Sequence, residues 1–205
     1  MRTYGYSLNK IALRIMCKLE RIVNTLLFVI YGFDRWHIAN GGRCRGYKKI
    51  IADKINHLRP NLATVVEVGC GLGDILRHVK STTRIGCDID ERVIRAARIR
   101  ALFQNIDFRV GDSTVVSETM TDVVIMVNWI HNLSPSDLAK LVASFVSNTK
   151  YFVFDRIDEE ALSTYKYSHD FQFLCDRARL VDTFKVPGEP RSFLIMESQC
   201  RYPVI

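Results

Sequence analysis

None of the six cysteines (Cys17, Cys44, Cys70, Cys87, Cys175 and Cys200) belongs to a C-x-x-C pair, and none has a histidine at zinc-finger spacing, so no metal centre is expected. Several lie inside apolar runs, where cysteine behaves as a small buried hydrophobe, which points to reduced thiols in a cytosolic compartment. No uncharged apolar run approaches the roughly 18 to 20 residues a spanning helix needs. The first strongly apolar stretch, Ile22 to Ile30, comes late and is followed by no A-x-A cleavage pattern, so neither a membrane span nor a secretory leader is expected. Internal repeats, low-complexity tracts and Pro/Gly/Ser-rich linkers are also missing. At 205 residues the chain has room for one domain with a single core and a small appendage, but not for a second full domain.

What is present is the composition of a folded protein: 48% apolar or aromatic residues and 25% charged ones. Lys plus Arg number 29 against 22 Asp plus Glu, a net charge of +7 with a pI near 9.2. Such a balance attracts an anionic partner, whether nucleic acid, acidic lipid or a phosphorylated sugar, and is equally common in proteins that are merely soluble.

Two regions emerge from the periodicity of apolar residues. In the first, about Leu8 to Ile38, Ile11, Ile15, Leu19, Ile22, Val23, Leu26 and Ile30 recur at helical spacing, with Lys10, Arg14, Lys18 and Arg21 on another face. This basic amphipathic helix is expected to pack on the domain with its cationic face solvated; contact with an anionic membrane surface is the other reading. Residues 1–44 are read as this helical extension and residues 45–205 as the main domain.

From Arg45 onward helix and strand alternate: helix Tyr47–Leu58, strand Thr64–Val68, a glycine loop, helix Asp74–Lys80, strand Arg84–Asp88, helix Glu91–Phe103 and strand Asp107–Val110. Asp122–Val127 is continuously apolar from Val123 onward, as in a strand buried on both faces. Ser134-Pro135-Ser136-Asp137 supplies a cap, a first-turn proline and an acid for a helix running to about Ser147. Lys150–Phe154 follows as a strand, then Arg179–Val186 and Ser192–Gln199, joined by a turn at Pro187-Gly188-Glu189-Pro190 too short for anything but an antiparallel pair. The expected fold is α/β: a doubly wound, mostly parallel seven-stranded sheet with a C-terminal antiparallel hairpin.

The densest chemical signal is Val65-Val66-Glu67-Val68-Gly69-Cys70-Gly71-Leu72-Gly73-Asp74, an apolar strand that runs into closely spaced glycines. Glycines there let the backbone turn sharply and touch a ligand, and ligands of open parallel sheets bind at the carboxyl ends of the strands. A dinucleotide loop reads G-x-G-x-x-G, whereas this one reads G-x-G-x-G with Glu67 two residues ahead; no Gly-Lys-Ser/Thr follows, which excludes a Walker-type phosphate loop. The stretch resembles the first motif of class I S-adenosylmethionine-dependent methyltransferases. That resemblance implies S-adenosyl-L-methionine as cofactor, lying against Gly69, Cys70, Gly71 and Gly73, with Glu67 near its amino group.

Arg84-Ile85-Gly86-Cys87-Asp88 ends in an acid 19 residues after Gly69, suited to accept hydrogen bonds from two ribose hydroxyls, with Ile89 beside it. Asp90 reads better as the cap of the next helix. Val110-Gly111-Asp112-Ser113 resembles the family's loop where an acid accepts from the adenine amine. Asn128-Trp129-Ile130-His131-Asn132-Leu133 matches the position bordering the methyl group and departs from the N-P-P-Y form of enzymes that methylate base amines. Tyr31-Gly32-Phe33-Asp34-Arg35-Trp36-His37-Ile38 resembles the lead-in of small bacterial methyltransferases of surface-glycan biosynthesis.

Methyl transfer to an alcohol needs a base, and the candidates are His131, Asp155 and His169 with its neighbour Asp170. Trp36, His37 and Tyr167 are candidates for an acceptor pocket. The preferred expectation is a cytoplasmic enzyme that O-methylates a small molecule or glycan; a place at the inner face of a membrane goes with the second reading of the N-terminal helix. An RNA methyltransferase, a non-catalytic cofactor-binding regulator and, on loop spacing the weakest, a nucleotide-dependent oxidoreductase are the rivals; nucleic acid is not favoured as partner.

Overall fold

The computed structural model describes residues 4–40, 46–59 and 61–199. Cys44, Arg45 and Cys200 lie outside them, as do the 44/45 boundary and the side chains of Lys10, Ile11 and Arg14. Seven strands form one sheet: β1 (Leu62–Val68), β2 (Ser81–Asp88), β3 (Asp107–Val110), β4 (Thr121–Met126), β5 (Thr149–Ile157), β6 (Ala178–Lys185) and β7 (Arg191–Ser198), in the order β3-β2-β1-β4-β5-β7-β6. The first five pair in parallel, and β7 joins β5 and β6 antiparallel. The chain order reverses between β1 and β4, so the loops leaving these strands flank the crevice where open α/β sheets bind their ligands.

Alternation along β4 explains the two cores. Val123 and Ile125 pack on one face with Tyr47, Ile51 and Ile55 of α2 (Gly46–Leu58). Val124 and Met126 pack on the other with Leu138 and Val142 of α4 (Pro135–Ala143). A strand covered on both sides must be apolar along its covered length, and this one is from Val123 onward. Local signals hold where they were read: Ser134 caps α4 through the Asp137 amide, and Asp90 caps α3 (Glu91–Arg100) through that of Arg92.

One expected helix does not form. Asp74–Lys80 is a run of turns ending in a 3-10 turn at Leu76–His78. Asn56 of α2 stops it, donating to the His78 carbonyl at 3.0 Å and accepting the Lys80 amide at 2.7 Å, and the chain turns directly into β2.

The N-terminal helix α1 (Tyr4–Tyr31) packs in an unexpected orientation. Leu27 joins Phe33, Leu72, Val93 and Ala96 in a small core, while Ile15, Leu19, Ile22, Val23, Leu26 and Val29 are exposed. The apolar row thus faces outward, and the helix docks through its more polar side. Glu20 lies 3.7 Å from Arg77 and 3.5 Å from Arg100. Arg100 also approaches Asp74, at 3.5 Å, which pairs with Lys48 at 2.8 Å and Arg77 at 2.6 Å. Burial alone would raise the Asp74 carboxyl, but Lys48, Arg100 and Arg77 outweigh it and hold it well below the usual carboxylate range.

Removing this anion takes a buried carboxylate from Lys48, Arg77 and Arg100 at once, and Glu20 lies near only the two arginines. Asp74→Ala is therefore expected to cost about 3–5 kcal/mol, seen as a lower urea midpoint with an unchanged slope. An unaltered midpoint would show that the cluster contributes nothing to folding.

Candidate active site

The backbone leaves β1 through three left-handed glycines, Gly69, Gly71 and Gly73, with φ of +68°, +53° and +69°. A side chain is barred there twice over, by conformation and by space. A Cβ at Gly69 would run into the Trp129 indole, and one at Gly71 would come within 2.9 Å of the His37 imidazole. The turn is held by its neighbours: Asp88 accepts the Gly71 amide at 3.0 Å through Oδ2 and the Asp90 amide at 3.0 Å through Oδ1. Trp129 donates its indole N–H to the Val68 carbonyl at 2.6 Å. Burial lowers the pKa of His37 and raises those of Cys70 and Cys87, the last to about 12, so both thiols stay protonated.

Glu67 is buried, and among the described residues its Oε2 has no hydrogen-bond partner. Burial, with Asp74 and Asp88 close by, pushes its carboxyl up to about 8 against the pull of Lys48.

The second half of the site follows β4. Asn128 sits at φ +80°, a left-handed position uncommon for a residue with a side chain. Its amide donates to Asp155 Oδ1 at 3.1 Å, and its side-chain oxygen accepts from Tyr47 at 3.1 Å and Arg191 at 2.6 Å. Arg191 also donates to Asp155 Oδ2 at 2.8 Å, and its guanidinium lies 5.3 Å from the centre of the Tyr47 ring. His131 is 1% exposed, with Nε2 standing 3.2 Å from Asp155 Oδ1. Among the described residues neither of its ring nitrogens closes a hydrogen bond of good geometry. Burial would raise the Asp155 carboxyl, but His131, Arg191 and the Asn128 amide keep it below its ordinary value.

His169 stacks on His131 with ring centres 5.7 Å apart, its Nε2 on the Ile130 carbonyl at 3.0 Å, and burial lowers its pKa. Asp170 turns away to accept the Gln172 amide, so the two adjacent residues do not act on one another as base and orienter. Beside His169 a concavity of about 260 Å³ is lined by Pro135, Ser168, Asp170, Phe171 and Phe173.

The structure brings Glu67, Gly69, Cys70, Gly71, Gly73 and Asp88 together around one turn. It brings Asn128, His131, Asp155 and His169 together at the adjoining strand ends. Asp155 lies inside β5, which runs three residues beyond the expected Phe154. Ile89 is exposed beside Asp88. Asp112 is exposed and caps the short 3-10 turn that begins at Ser113, through the Thr114 amide. Of the three pocket candidates, His37 covers the loop and Tyr167 donates its amide to the His131 carbonyl at 3.0 Å, while Trp36 is half exposed. Arg191 and Tyr47 escaped sequence reasoning: one opens an apolar strand and the other starts a helix, and neither belongs to a motif.

A family model described as a methyltransferase domain matches residues 65–150. The N-methyltransferase NodS from Bradyrhizobium japonicum WM9, solved with S-adenosyl-L-homocysteine, superposes with a TM-score of 0.70 at 12% identity, covering 86% of this chain and 98% of its own. The magnesium protoporphyrin IX methyltransferase ChlM from Synechocystis PCC 6803, solved with S-adenosylmethionine bound, gives 0.59 at 14% identity, over 82% and 86% of the two chains. The bifunctional kinase-methyltransferase WbdD gives 0.55 at 16%, over 76% of this chain and 39% of its own. At these identities the likeness is one of fold. No curated protein matches by sequence.

The raised Glu67 carboxyl links stability to pH. Folded Glu67 keeps its proton up to about pH 8, whereas the unfolded chain releases it near 4.5, so this group's contribution is full below 4.5 and is lost as pH rises through 8. Chemical denaturation at several pH values is expected to show the wild type losing stability across that window more steeply than Glu67→Gln. Parallel curves for the two proteins would contradict it.

Proposed function

We propose that this chain is an S-adenosylmethionine-dependent methyltransferase that methylates a hydroxyl oxygen of a small molecule or glycan, with His131 as the general base, a reading supported by the methyltransferase-domain match. The observation that carries the reading is the buried His131 Nδ1, without a hydrogen-bond partner among the described residues, on a ring whose other nitrogen faces Asp155 at 3.2 Å. A carboxylate on that side assigns the proton to Nε2 and leaves the Nδ1 lone pair available. Asp155, itself clamped by Arg191 and the Asn128 amide, holds the ring and stabilises the imidazolium that forms when Nδ1 takes the hydroxyl proton. The acceptor enters from the concavity beside His169.

The residues of the neighbouring turn fit the cofactor. Glu67 Oε2, unmet among the described residues, suits an ammonium, whose charge would favour the ionised carboxylate, and each Asp88 oxygen retains a lone pair for a ribose hydroxyl after accepting one amide. Gly69, Cys70, Gly71 and Gly73 would cradle the amino acid end, Asp88 and Ile89 the ribose, Asp112 and Ser113 the adenine, and Asn128 the methyl side. When bound, S-adenosylmethionine supplies an electrophilic methyl carbon on a sulfonium, and the positive charge lost there reappears as the proton on the base. In the same reading residues 1–44 form an extension to a methyltransferase domain of residues 45–205, and the enzyme works in the cytoplasm against the inner face of a membrane.

Calorimetry is expected to show S-adenosylhomocysteine binding that Asp88→Ala weakens by roughly tenfold or more. His131→Gln should leave that affinity within about twofold while lowering turnover by about 10²–10⁴. Product spectra from hydroxylated glycan and small-molecule acceptors should carry a methoxy carbon. An N-methyl product, or full turnover by His131→Gln, would end the proposed acceptor class or the proposed base respectively.

A further inference from the structure

A helix at the surface of a globular protein normally turns its apolar stripe inward. α1 does the reverse. Toward the domain it presents Glu20, Asn24 and Leu27; away from it a row from Ile15 to Ile30 is exposed, including Leu26 at 58% and Val29 at 74%. At 1.5 Å per residue this row is about 22 Å long. Isolated exposed apolar side chains are ordinary, but a continuous row of this length marks an interaction surface.

Charge decides what covers it. Glu20, the one acid in α1, is turned inward onto Arg77 and Arg100, so the exposed side of the described helix offers no anion. Lys18 and Arg21 stand exposed along one rim of the row. With Thr25, Ile22 and Leu26 they line a shallow open depression, two cations over an apolar floor. A second copy of the helix laid against this face would bring cations without partnering acids, whereas an anionic headgroup with its acyl chain matches both parts. Arg100 reaches α1 through Glu20, and two and three residues later Leu102 and Phe103 emerge, the latter 98% exposed. No described helix is long and apolar enough to cross a membrane.

We infer that α1 is an in-plane docking helix for a bilayer carrying anionic phospholipid, with Leu19, Ile22, Leu26 and Val29 entering the acyl boundary and Lys18 and Arg21 meeting phosphates. The inference deepens the peripheral placement proposed above and rests on it, but not on the acceptor or the base. It gives that placement a lipid class and an orientation: the domain sits on the face of the helix opposite the lipid. His37, six residues after the helix ends, covers Gly71, so the cofactor turn is tied closely to the docked element.

The test is flotation of the full chain with vesicles of phosphatidylcholine alone and of equal parts phosphatidylcholine and phosphatidylglycerol. Wild type should partition roughly tenfold more strongly onto the anionic vesicles and lose that preference as salt is raised. Ile22→Glu/Leu26→Glu and Lys18→Glu/Arg21→Glu should each abolish it while binding S-adenosylhomocysteine like wild type. Failure of wild type to float, or equal flotation on both lipids, overturns the inference. So does a dimer in light scattering that Ile22→Glu/Leu26→Glu disperses, which would assign the face to a second copy. The S-adenosylhomocysteine titration, made without lipid, separates a failure of docking from a failure of the methyltransferase reading.

Discussion

The carboxylate of Asp88 closes β2 and at the same time holds the turn that follows β1, one oxygen on the Gly71 amide and the other on the Asp90 amide. This side-chain tie adds to the backbone bond from the Cys70 amide to the Cys87 carbonyl at 2.9 Å, which already joins the glycine loop to β2 beyond the end of β1. The left-handed glycines let the chain reach that carboxylate without a Cβ in the way. Once the turn is set, Trp129 can pack on Gly69 and bond the Val68 carbonyl, and the Asn128 loop is fixed at the end of β4. The crevice at the strand-order reversal is therefore a consequence of how β2 ends.

Around this turn the protein keeps one acid neutral and a neighbouring one charged. Glu67 and Asp74 are both buried, and burial pushes both carboxyls upward. The difference lies in the number of cations: Asp74 has Lys48, Arg77 and Arg100 within 3.5 Å, whereas for Glu67 the pull of Lys48 is opposed by burial and by two other acids. A buried charge is tolerable when paired, and a buried carboxyl without a partner stays protonated. Asp155 repeats the first solution with Arg191. Burial works against the Arg191 charge, but Asp155 more than compensates, so the clamp on the His131 partner stays ionised.

The elements that could be read from the sequence are those whose cause is local. The glycine spacing after β1, the apolar run of β4, the Ser134 and Asp90 caps and the short turn before β7 each act within a few residues; β4, β7 and the starts of α3 and α4 follow them to within a residue, whereas α3 ends at Arg100 and α4 at Ala143, three and four residues short of the expected Phe103 and Ser147. The Asp74–Lys80 segment misled because its composition is helical while Asn56, from another helix, ends it. Arg191 was illegible for a related reason. It meets Asp155 only because β7 pairs antiparallel with β5 in a register that sets Arg191 opposite Ile157, and nothing near Arg191 in the chain encodes that partner.

α1 shows the limit of reading amphipathicity as burial. Its periodicity correctly gave a helix, yet periodicity alone does not say which side faces the protein. The domain offers α1 a surface of Arg77, Arg100, Leu72, Val93 and Ala96, so the side that fits is the one bearing Glu20 and Leu27, which can satisfy two buried guanidinium groups and fill a small apolar gap. Burial of Leu27 and Phe33 contributes about 1.5–3 kcal/mol each. Turning the apolar row inward instead would take Glu20 away from Arg77 and Arg100, which already share Asp74 with Lys48. The electrostatics around Asp74 thus dictate the orientation of the N-terminal helix, and the exposed apolar row is the consequence.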